Sequence, residues 1–309
     1  MTDARHRSRL VGIVLTLAAA VLWSTGGLGI KSLDGPPLAI AGWRGLFALP
    51  VLAGMLFVRS RGDLALLRVP LRRPWAWMGA ASYALMVICF VVATRRTTAA
   101  NAIFIQYTSP VYVALLSWPL LRERITAVDL VACAGVLVGM VLFFRDGLSA
   151  EALGGNVIAI VSSFGAAGLP LALRADQRAL TRAGELRAAA ISPALMIALG
   201  DLAAVLLCTP AMLASPLHGA RSWLLLAGLG LGQIGLPYVL YGIAIRRLTA
   251  LEGSLVPALE PILNPVWVAL GTGETPGPSA MVGGGFVLAS VLLQARGGRA
   301  RPARDLTEG

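Results

Sequence analysis

"ATRRTTA" at residues 93–99 and "AIRRLTA" at residues 244–250 stand 151 positions apart in this chain of 309 residues. Sliding the sequence by that distance aligns residues 90–124 with residues 241–275 without a gap, and seven of those 35 pairs are identical. Pro110 meets Pro261, and Glu123 meets Glu274. Matched prolines and charges arise by chance less readily than matched apolar residues, so the pattern predicts an internal repeat.

The repeat lies in a chain with too little charge to cover a water-facing surface. Hydrophobic residues make up 57% of it and charged residues 13%, and the mean hydropathy is +0.77. The apolar residues fall in blocks near the length that crosses about 30 Å of hydrocarbon. These blocks predict ten spanning helices, called spans 1 to 10 below: 10–30, 36–58, 74–94, 99–121, 125–144, 153–173, 190–213, 222–245, 250–271 and 279–295.

The positions of Lys and Arg predict the orientation of these spans. With the N-terminus in the cytoplasm, the cytoplasmic segments hold 20 of the 26 basic residues, the opposite side holds five, and Arg44 lies inside span 2. This bias is the positive-inside pattern of membrane proteins, and it puts both termini in the cytoplasm. The net charge of +11 is therefore interpreted as a topology signal and not as a nucleic-acid-binding surface.

Each half of the chain is predicted to contain five spans, and an odd number makes the second half enter the membrane from the opposite side. The predicted fold is an all-α integral membrane protein built from two inverted repeats, an arrangement typical of alternating-access transporters. The predicted parts are a cytoplasmic tail (1–9), a first repeat (10–147), a second repeat (148–295) and a second cytoplasmic tail (296–309).

Several motifs resemble those of the drug/metabolite transporter superfamily, in particular its EamA family. They are "LTLAAAVLWSTGGLGIK" (15–31), Arg44 in span 2, "YTSPVYVALLSWPLLRERIT" (107–126), "LGGNVIAIVSSFGAA" (153–167) and "LEPILNPVWVALGTGE" (259–274). The resemblance covers about residues 10–295, and it departs from the family pattern at Thr275 and Pro276, where a basic residue is usual. It implies a carrier that exports an amino acid or a related small metabolite, with spans 1–4 and 6–9 around a central cavity.

Span 9 contains residues that a membrane helix should avoid. Pro257, Pro261 and Pro265 are spaced four residues apart, and Glu260 and Asn264 share an adjacent helix face. Irregular backbone is tolerated in a membrane where it is buried in protein or lines a wet cavity. The functional interpretation is that Glu260 and Asn264 bind substrate or a coupled proton. The alternative is a structural kink in which hydrogen bonds hold Glu260.

Arg44 and Asp201 are the other clear charges inside predicted spans, and an unpaired charge there is costly. Asp201 is therefore a candidate ion-pair partner of Arg44. Arg44 is a candidate clamp for a substrate carboxylate or phosphate, and the alternatives are a static ion pair or a side chain that reaches the nearer interface. By the resemblance, several further polar and aromatic residues line the cavity, although packing is favoured over substrate contact for each. They are Trp23, Ser24, Tyr83, Gln106, Tyr107, Ser163, Gln233 and Tyr238, with Pro110 as a further candidate helix break.

The sequence favours a secondary transporter over other classes of membrane protein. It has no phosphate-binding loop, no HExxH motif and no histidine inside a predicted span, so no ATPase, enzyme, metal site or cofactor is predicted. A channel and a non-transporting scaffold or sensor remain alternatives. The expected partners are a small-molecule substrate and the lipid bilayer. The pairs Gly135/Gly139 and Gly228/Gly232 permit close helix contact within the bundle or across a homodimer. Arginine-rich, lysine-poor composition suggests the inner membrane of a bacterium.

Overall fold

A computed structural model describes residues 2–122, 126–145, 153–215 and 219–273, together with separate positions between 278 and 293. All regular structure in these ranges is helical. The first half contains α1 (Thr2–Ser24), α2 (Gly26–Lys31), α3 (Pro37–Ser60), α4 (Arg68–Leu71), α5 (Pro74–Arg96), α6 (Ala99–Gln106), α7 (Ser109–Leu121) and α8 (Ala127–Arg145). The second half contains α9 (Leu153–Arg182), α10 (Leu186–Ala214), α11 (Ala220–Ala227), α12 (Leu236–Ala244), α13 (Ala250–Leu255) and α14 (Glu260–Thr272).

Seven helical stretches in the described part of the chain are long and apolar enough to cross a membrane. They are His6–Lys31, Pro37–Ser60, Pro74–Arg96, Ala99–Leu121, Leu153–Arg182, Leu186–Ala214 and Ala220–Arg247. The chain is therefore a multi-pass membrane protein. Predicted span 5 corresponds to α8, and span 9 to α13 and α14 with the turn between them. Most of span 10, the boundary between the predicted repeats and the tail 296–309 lie outside the described residues.

Two predicted boundaries differ from the helices of the structure. Span 6 was placed at 153–173, whereas α9 continues to Arg182. The extra residues stay helical because "ADQRAL" at 175–180 buries Asp176 and Leu180 and continues the apolar stripe that faces the bundle. At the other end of the chain, α1 already begins at Thr2, within the predicted tail 1–9.

Four of the predicted spans, namely 1, 4, 8 and 9, are interrupted in the structure. Span 4 divides at Tyr107, and span 9 contains a 3₁₀ turn, Val256–Leu259, between α13 and α14. Each interruption lies just before a proline at the start of the next helix, Pro110 or Pro261, whose missing N–H leaves the carbonyl four residues earlier without its helical donor. Span 1 divides at Thr25, between α1 and α2.

Span 8 changes its helical pitch in the middle. A π-helical segment, Gly228–Gly235, joins α11 to α12 and contains four glycines. Pro237 follows it at the start of α12 and cannot donate to the carbonyl of Gln233. Such segments often mark functional positions in helices. Gln233 lies in this segment, and its side chain is buried.

The first helix of each half packs against the other half. In the first half, α1 packs against α12, α14 and the turn Val256–Leu259 of the second half. In the second half, α9 packs against α5, α6 and α7 of the first. A Cβ on Gly12 of α1 would come 3.1 Å from Arg247, and a Cβ on Gly155 of α9 would come 2.9 Å from Arg96. These arginines are aligned in the repeat, so the same close contact occurs twice.

Candidate functional site

Helices α1 and α9, each packed against the opposite half, enclose a cavity between the two halves. Its empty space is about 740 Å³, which includes space open to the outside. The lining combines apolar and aromatic surface with a few polar groups. These residues are Trp23, Arg44, Met86, Val87, Phe90, Gln106, Tyr107, Ser109, Ala166, Leu169, Pro170, Gln233, Ile234, Tyr238, Tyr241, Gly253, Pro257 and Glu260.

Arg44 is the cationic group of the cavity. It lies in α3 and is 2% exposed, and its guanidinium donates to Oε1 of Gln233 at 3.3 Å. Gln233 in turn donates to the backbone carbonyl of Trp23 at 3.1 Å. The Nε of Arg44 has no hydrogen-bond partner among the described atoms. One hydrogen bond thus orients the Arg44 guanidinium, and its Nε–H remains available to donate to a ligand.

Glu260 is the acidic group of the cavity, at the first position of α14. The carboxylate lies 2.8 Å from the hydroxyl of Tyr107, which comes from the break between α6 and α7. The same hydroxyl lies 2.7 Å from the backbone carbonyl of Pro257. The helix breaks of span 4 and span 9 therefore meet at one side chain, beside the carboxyl group of Glu260.

Aromatic rings form one wall of the cavity. Tyr238 is at their centre, with its ring centroid 4.9 Å from that of Trp23 and 4.7 Å from that of Tyr83. Tyr241 lies 5.5 Å from Trp23 in an edge-on arrangement. Rings that pack on one another in this way hold a fixed wall, because their rotation is restricted by their neighbours. Such a wall can stack on a flat ligand.

Asp201 does not bond directly to Arg44 within the described contacts. Its carboxylate accepts a hydrogen bond at 3.3 Å from the hydroxyl of Tyr83, and both side chains are fully buried. Arg44 still lies within electrostatic range of Asp201 and of Glu260. Arg44 therefore interacts electrostatically with both carboxyl groups, and a direct ion pair with Asp201 stays a prediction.

Some predicted site residues lie outside the cavity lining. Asn264 is fully buried against Gly27, where a Cβ would come 2.8 Å from its amide nitrogen. Ser24 and Ser163 donate to carbonyls of their own helices, those of Val21 and Ile160, each at 2.6 Å. The remaining predicted residues outside the lining are Tyr83, Asp201, Pro110, Pro261 and Pro265. Substrate contact by any of these side chains stays a prediction.

The sequence contained signals for lining residues that the prediction left out. Tyr241 is three residues after Tyr238 and so shares its helix face. Pro170, inside α9, lines the cavity with Ala166, the residue whose carbonyl it leaves without a helical donor. Both could have been found by applying to spans 6 and 8 the reasoning used for span 9. Met86 carries no comparable signal, because apolar residues fill every span.

Another buried acid lies away from the cavity. Asp176 of α9 is fully buried, with Nε of Arg73 at 3.2 Å and the hydroxyl of Ser192 at 2.5 Å. Asp176 lies beyond residue 173, the predicted end of span 6. Its partners come from the start of α5 and from α10, so this acid ties three helices together.

The described residues contain no group of three or more His, Cys, Asp or Glu side chains that could hold a metal ion. The cavity instead offers a guanidinium, a carboxyl group, amide groups and aromatic faces. Groups of these kinds can bind and orient a small organic molecule through hydrogen bonds and charge. Multiple spanning helices around such a cavity define the class of membrane transporters.

Comparison with known proteins gives the family. The model of the EamA-like transporter family matches residues 10–145 and again residues 155–296. The chain belongs to that family, which confirms the resemblance seen in its motifs. An uncharacterized transporter of Archaeoglobus fulgidus is 27% identical over 283 residues, which cover 91% of this chain and 95% of the relative. A crystal structure covering 95% of this chain and all of its own has a TM-score of 0.70 at 19% identity, which shows the shared fold.

Proposed function

We propose that this protein is a secondary transporter that exports an amino acid or a related small metabolite across the cytoplasmic membrane of a bacterium. The observation that carries the proposal is the cavity between the two halves, with Arg44 and Glu260 on its walls. A guanidinium binds a carboxylate with two parallel hydrogen bonds, and a carboxylate binds an ammonium group. A zwitterion would satisfy both groups at once.

Alternating access is proposed for the movement of the substrate. Its support is that α1 and α9 each pack against the opposite half. Their contacts, at Gly12 and at Gly155, form two similar seams beside the cavity, about which the halves could rotate relative to each other. The broken spans 4 and 9 supply backbone at the cavity that is not committed to a regular helix. We further propose ten spans in two inverted repeats, with both termini in the cytoplasm.

The test is transport by the purified protein in liposomes. The panel contains radiolabelled amino acids, nucleosides and amines, each assayed with and without a pH gradient. Counterflow, in which an unlabelled internal substrate drives uptake of the labelled one, separates a carrier from a channel. Saturable counterflow of a zwitterion is expected. Flux without saturation or counterflow would favour the channel, and no flux of any compound would favour the scaffold.

Glu260→Gln is expected to fold normally and to lose the effect of the pH gradient. One pH unit stores about 1.4 kcal/mol for each proton, enough for about tenfold accumulation of a substrate exchanged for one proton. In Glu260→Gln this accumulation should fall to the level seen without a gradient, because the amide does not release a proton. The matched control is Glu185→Gln, at an exposed residue preceding α10. Normal gradient-driven accumulation by Glu260→Gln would remove Glu260 from proton coupling.

A further inference from the structure

One tyrosine hydroxyl links the two helix breaks at the cavity. Tyr107 follows α6, and its Oη lies 2.7 Å from the carbonyl oxygen of Pro257 and 2.8 Å from Oε2 of Glu260. The three residues are buried and line the cavity. Both distances are those of good O–H···O hydrogen bonds. The hydroxyl therefore contacts two oxygen atoms of the opposite half of the protein.

The number of hydrogens limits what these contacts can be. A phenol has one hydrogen to donate, and a backbone carbonyl can only accept. If Tyr107 donates to the Pro257 carbonyl, its contact with Glu260 is a hydrogen bond only when the carboxyl group carries the second hydrogen. In that case the carboxyl group of Glu260 donates to the Tyr107 oxygen, and the Tyr107 hydroxyl donates to the Pro257 carbonyl. Both contacts can be full hydrogen bonds at the same time when Glu260 is protonated.

An ionised Glu260 changes this arrangement. A carboxylate is a stronger acceptor than a carbonyl, so it draws the hydrogen of Tyr107 to itself. The hydroxyl oxygen and the Pro257 carbonyl oxygen are then 2.7 Å apart with no hydrogen between them, and they repel. That carbonyl belongs to the irregular turn Val256–Leu259, where the backbone N–H of Glu260 is its one remaining donor among the described contacts.

We propose that Tyr107 is a positioning residue that couples the protonation of Glu260 to the shape of the helix break in span 9. Protonation joins the break to span 4 through Tyr107, and ionisation releases it. The inference rests on the proposed function only in taking Glu260 as the proton carrier. In this proposal, the Tyr107 hydroxyl between the two halves converts a change in the protonation of Glu260 into a movement of the backbone.

Other charged and titratable groups face this pair from neighbouring helices. Arg44 of α3 acts electrostatically on Glu260, and Tyr238 and Tyr241 of α12 act on Tyr107. Behind them lie Asp201 of α10 and Tyr83 of α5, which act on Arg44. Arg44 acts directly on the ionisation of Glu260, and the other groups act on Arg44 or on Tyr107. They do not change the hydrogen count at Tyr107, because the described hydrogen bonds of its hydroxyl are those to Pro257 and Glu260.

Hydrogen–deuterium exchange of the full-length protein in detergent tests the proposal without a substrate. The readout is the protection of amides in residues 256–264, followed over a pH series and corrected for the intrinsic exchange rate. In the wild type, ionisation of Glu260 should speed exchange there about fivefold, the effect of losing one hydrogen bond. Glu260→Gln should stay protected at every pH, because its amide donates to Tyr107 as the protonated acid does. Tyr107→Phe should exchange fast at every pH.

The matched control is Tyr112→Phe, the same chemical change on α7, where the ring stacks on Phe164 at 4.8 Å. It should follow the wild-type pH profile. Protection independent of pH in the wild type, or a wild-type profile in Tyr107→Phe, would overturn the proposal. If Tyr107→Phe does not fold, the wild type compared with Glu260→Gln still decides. A pH-dependent break in a protein that transports nothing would leave this inference standing and the transport function refuted.

Discussion

Glu252 uses each of its carboxylate oxygens for a different contact. Oε1 accepts from Nε of Arg9 at 2.7 Å, and this ion pair joins α1 to α13 across 243 residues. Oε2 accepts from the backbone N–H of Thr249 at 2.8 Å, while the Thr249 hydroxyl accepts from the N–H of Glu252. This reciprocal pair is a capping box that begins α13. One buried side chain therefore fixes both a helix end and the packing of the two halves.

Substitutions can separate these two contributions. Glu252→Gln should lower the free energy of unfolding by about 3 kcal/mol, since it removes the charge that a buried guanidinium faces. Thr249→Ala should lower it by about 1 kcal/mol, the usual effect of losing an N-cap. Thr98→Ala, at the aligned cap of α6, is the matched control and should resemble Thr249→Ala. Unfolding in mixed micelles measures all three, and equal losses for Glu252→Gln and Thr249→Ala would contradict the expectation.

Single residues were predictable where they broke the pattern around them. Glu260 and Arg44 stand out because a charge in an apolar run has few explanations, and both line the cavity. Asp176 was missed because it lay beyond a helix end judged from hydropathy alone. The hydrogen bond of Tyr107 to Glu260 joins positions 153 residues apart, and no local pattern encodes such a pairing.

The π-helical segment Gly228–Gly235 shows how an element can change the meaning of a motif. Gly228 and Gly232 were expected to allow close helix contact because they are four residues apart. In the structure, a Cβ on either would have no described neighbour within 4 Å. Gly230 and Gly235 instead meet α3, and a Cβ on Gly230 would come 2.6 Å from the carbonyl oxygen of Arg44. The wider π turn rotates the face that packs inside the protein, so Gly228 and Gly232 do not make the expected contact within the bundle, and contact across a homodimer stays a prediction.

Two glycines of this segment give a matched pair of substitutions. Gly230→Ala should lower the free energy of unfolding by about 2 kcal/mol, because the new methyl group overlaps the side chain of Phe47 and the backbone of α3. It should also reduce transport, since α3 carries Arg44. Gly232→Ala should be neutral or slightly stabilising, because alanine is favoured over glycine in helices. Thermal unfolding in detergent and liposome counterflow measure the two effects, and similar results for both variants would contradict this account.

At the scale of the whole molecule, the sequence predicts a repeat because prolines and charges match at a fixed distance. The structure places these matches in equivalent settings: Thr98 and Thr249 cap α6 and α13, and Pro110 and Pro261 follow the two helix breaks. The packing of α1 and α9 against the opposite halves was not predictable from the repeat alone. It depends on which helix fills the space beside each interrupted span.

The inverted orientation of the halves can be tested by cysteine labelling. Asp34 and Ala183 occupy exposed loops after the first span of each predicted repeat. In a variant whose native cysteines are replaced by serine, a membrane-impermeant maleimide should label Asp34→Cys in intact cells. Ala183→Cys should react only after the membrane is opened, because positive-inside topology places it in the cytoplasm. Asp63→Cys and Ala220→Cys are the controls, with the reverse assignment within each repeat. Labelling of Asp34→Cys and Ala183→Cys from the same side would exclude inversion.

The contacts at Gly12 and Gly155 have similar geometry, but the residues that form them are separated by different lengths of chain and so can meet at different times during synthesis. The seam at Gly155 joins residues close in sequence, with Thr97 bonded to Asn156 at 3.0 Å across 59 residues. The seam at Gly12 needs α12 and α13, so it cannot close until nearly the whole chain has left the ribosome. During synthesis, α1 must therefore remain in the bilayer without its final packing partners in the second half. A truncated chain would insert but remain open along one seam, exposed to quality-control proteases.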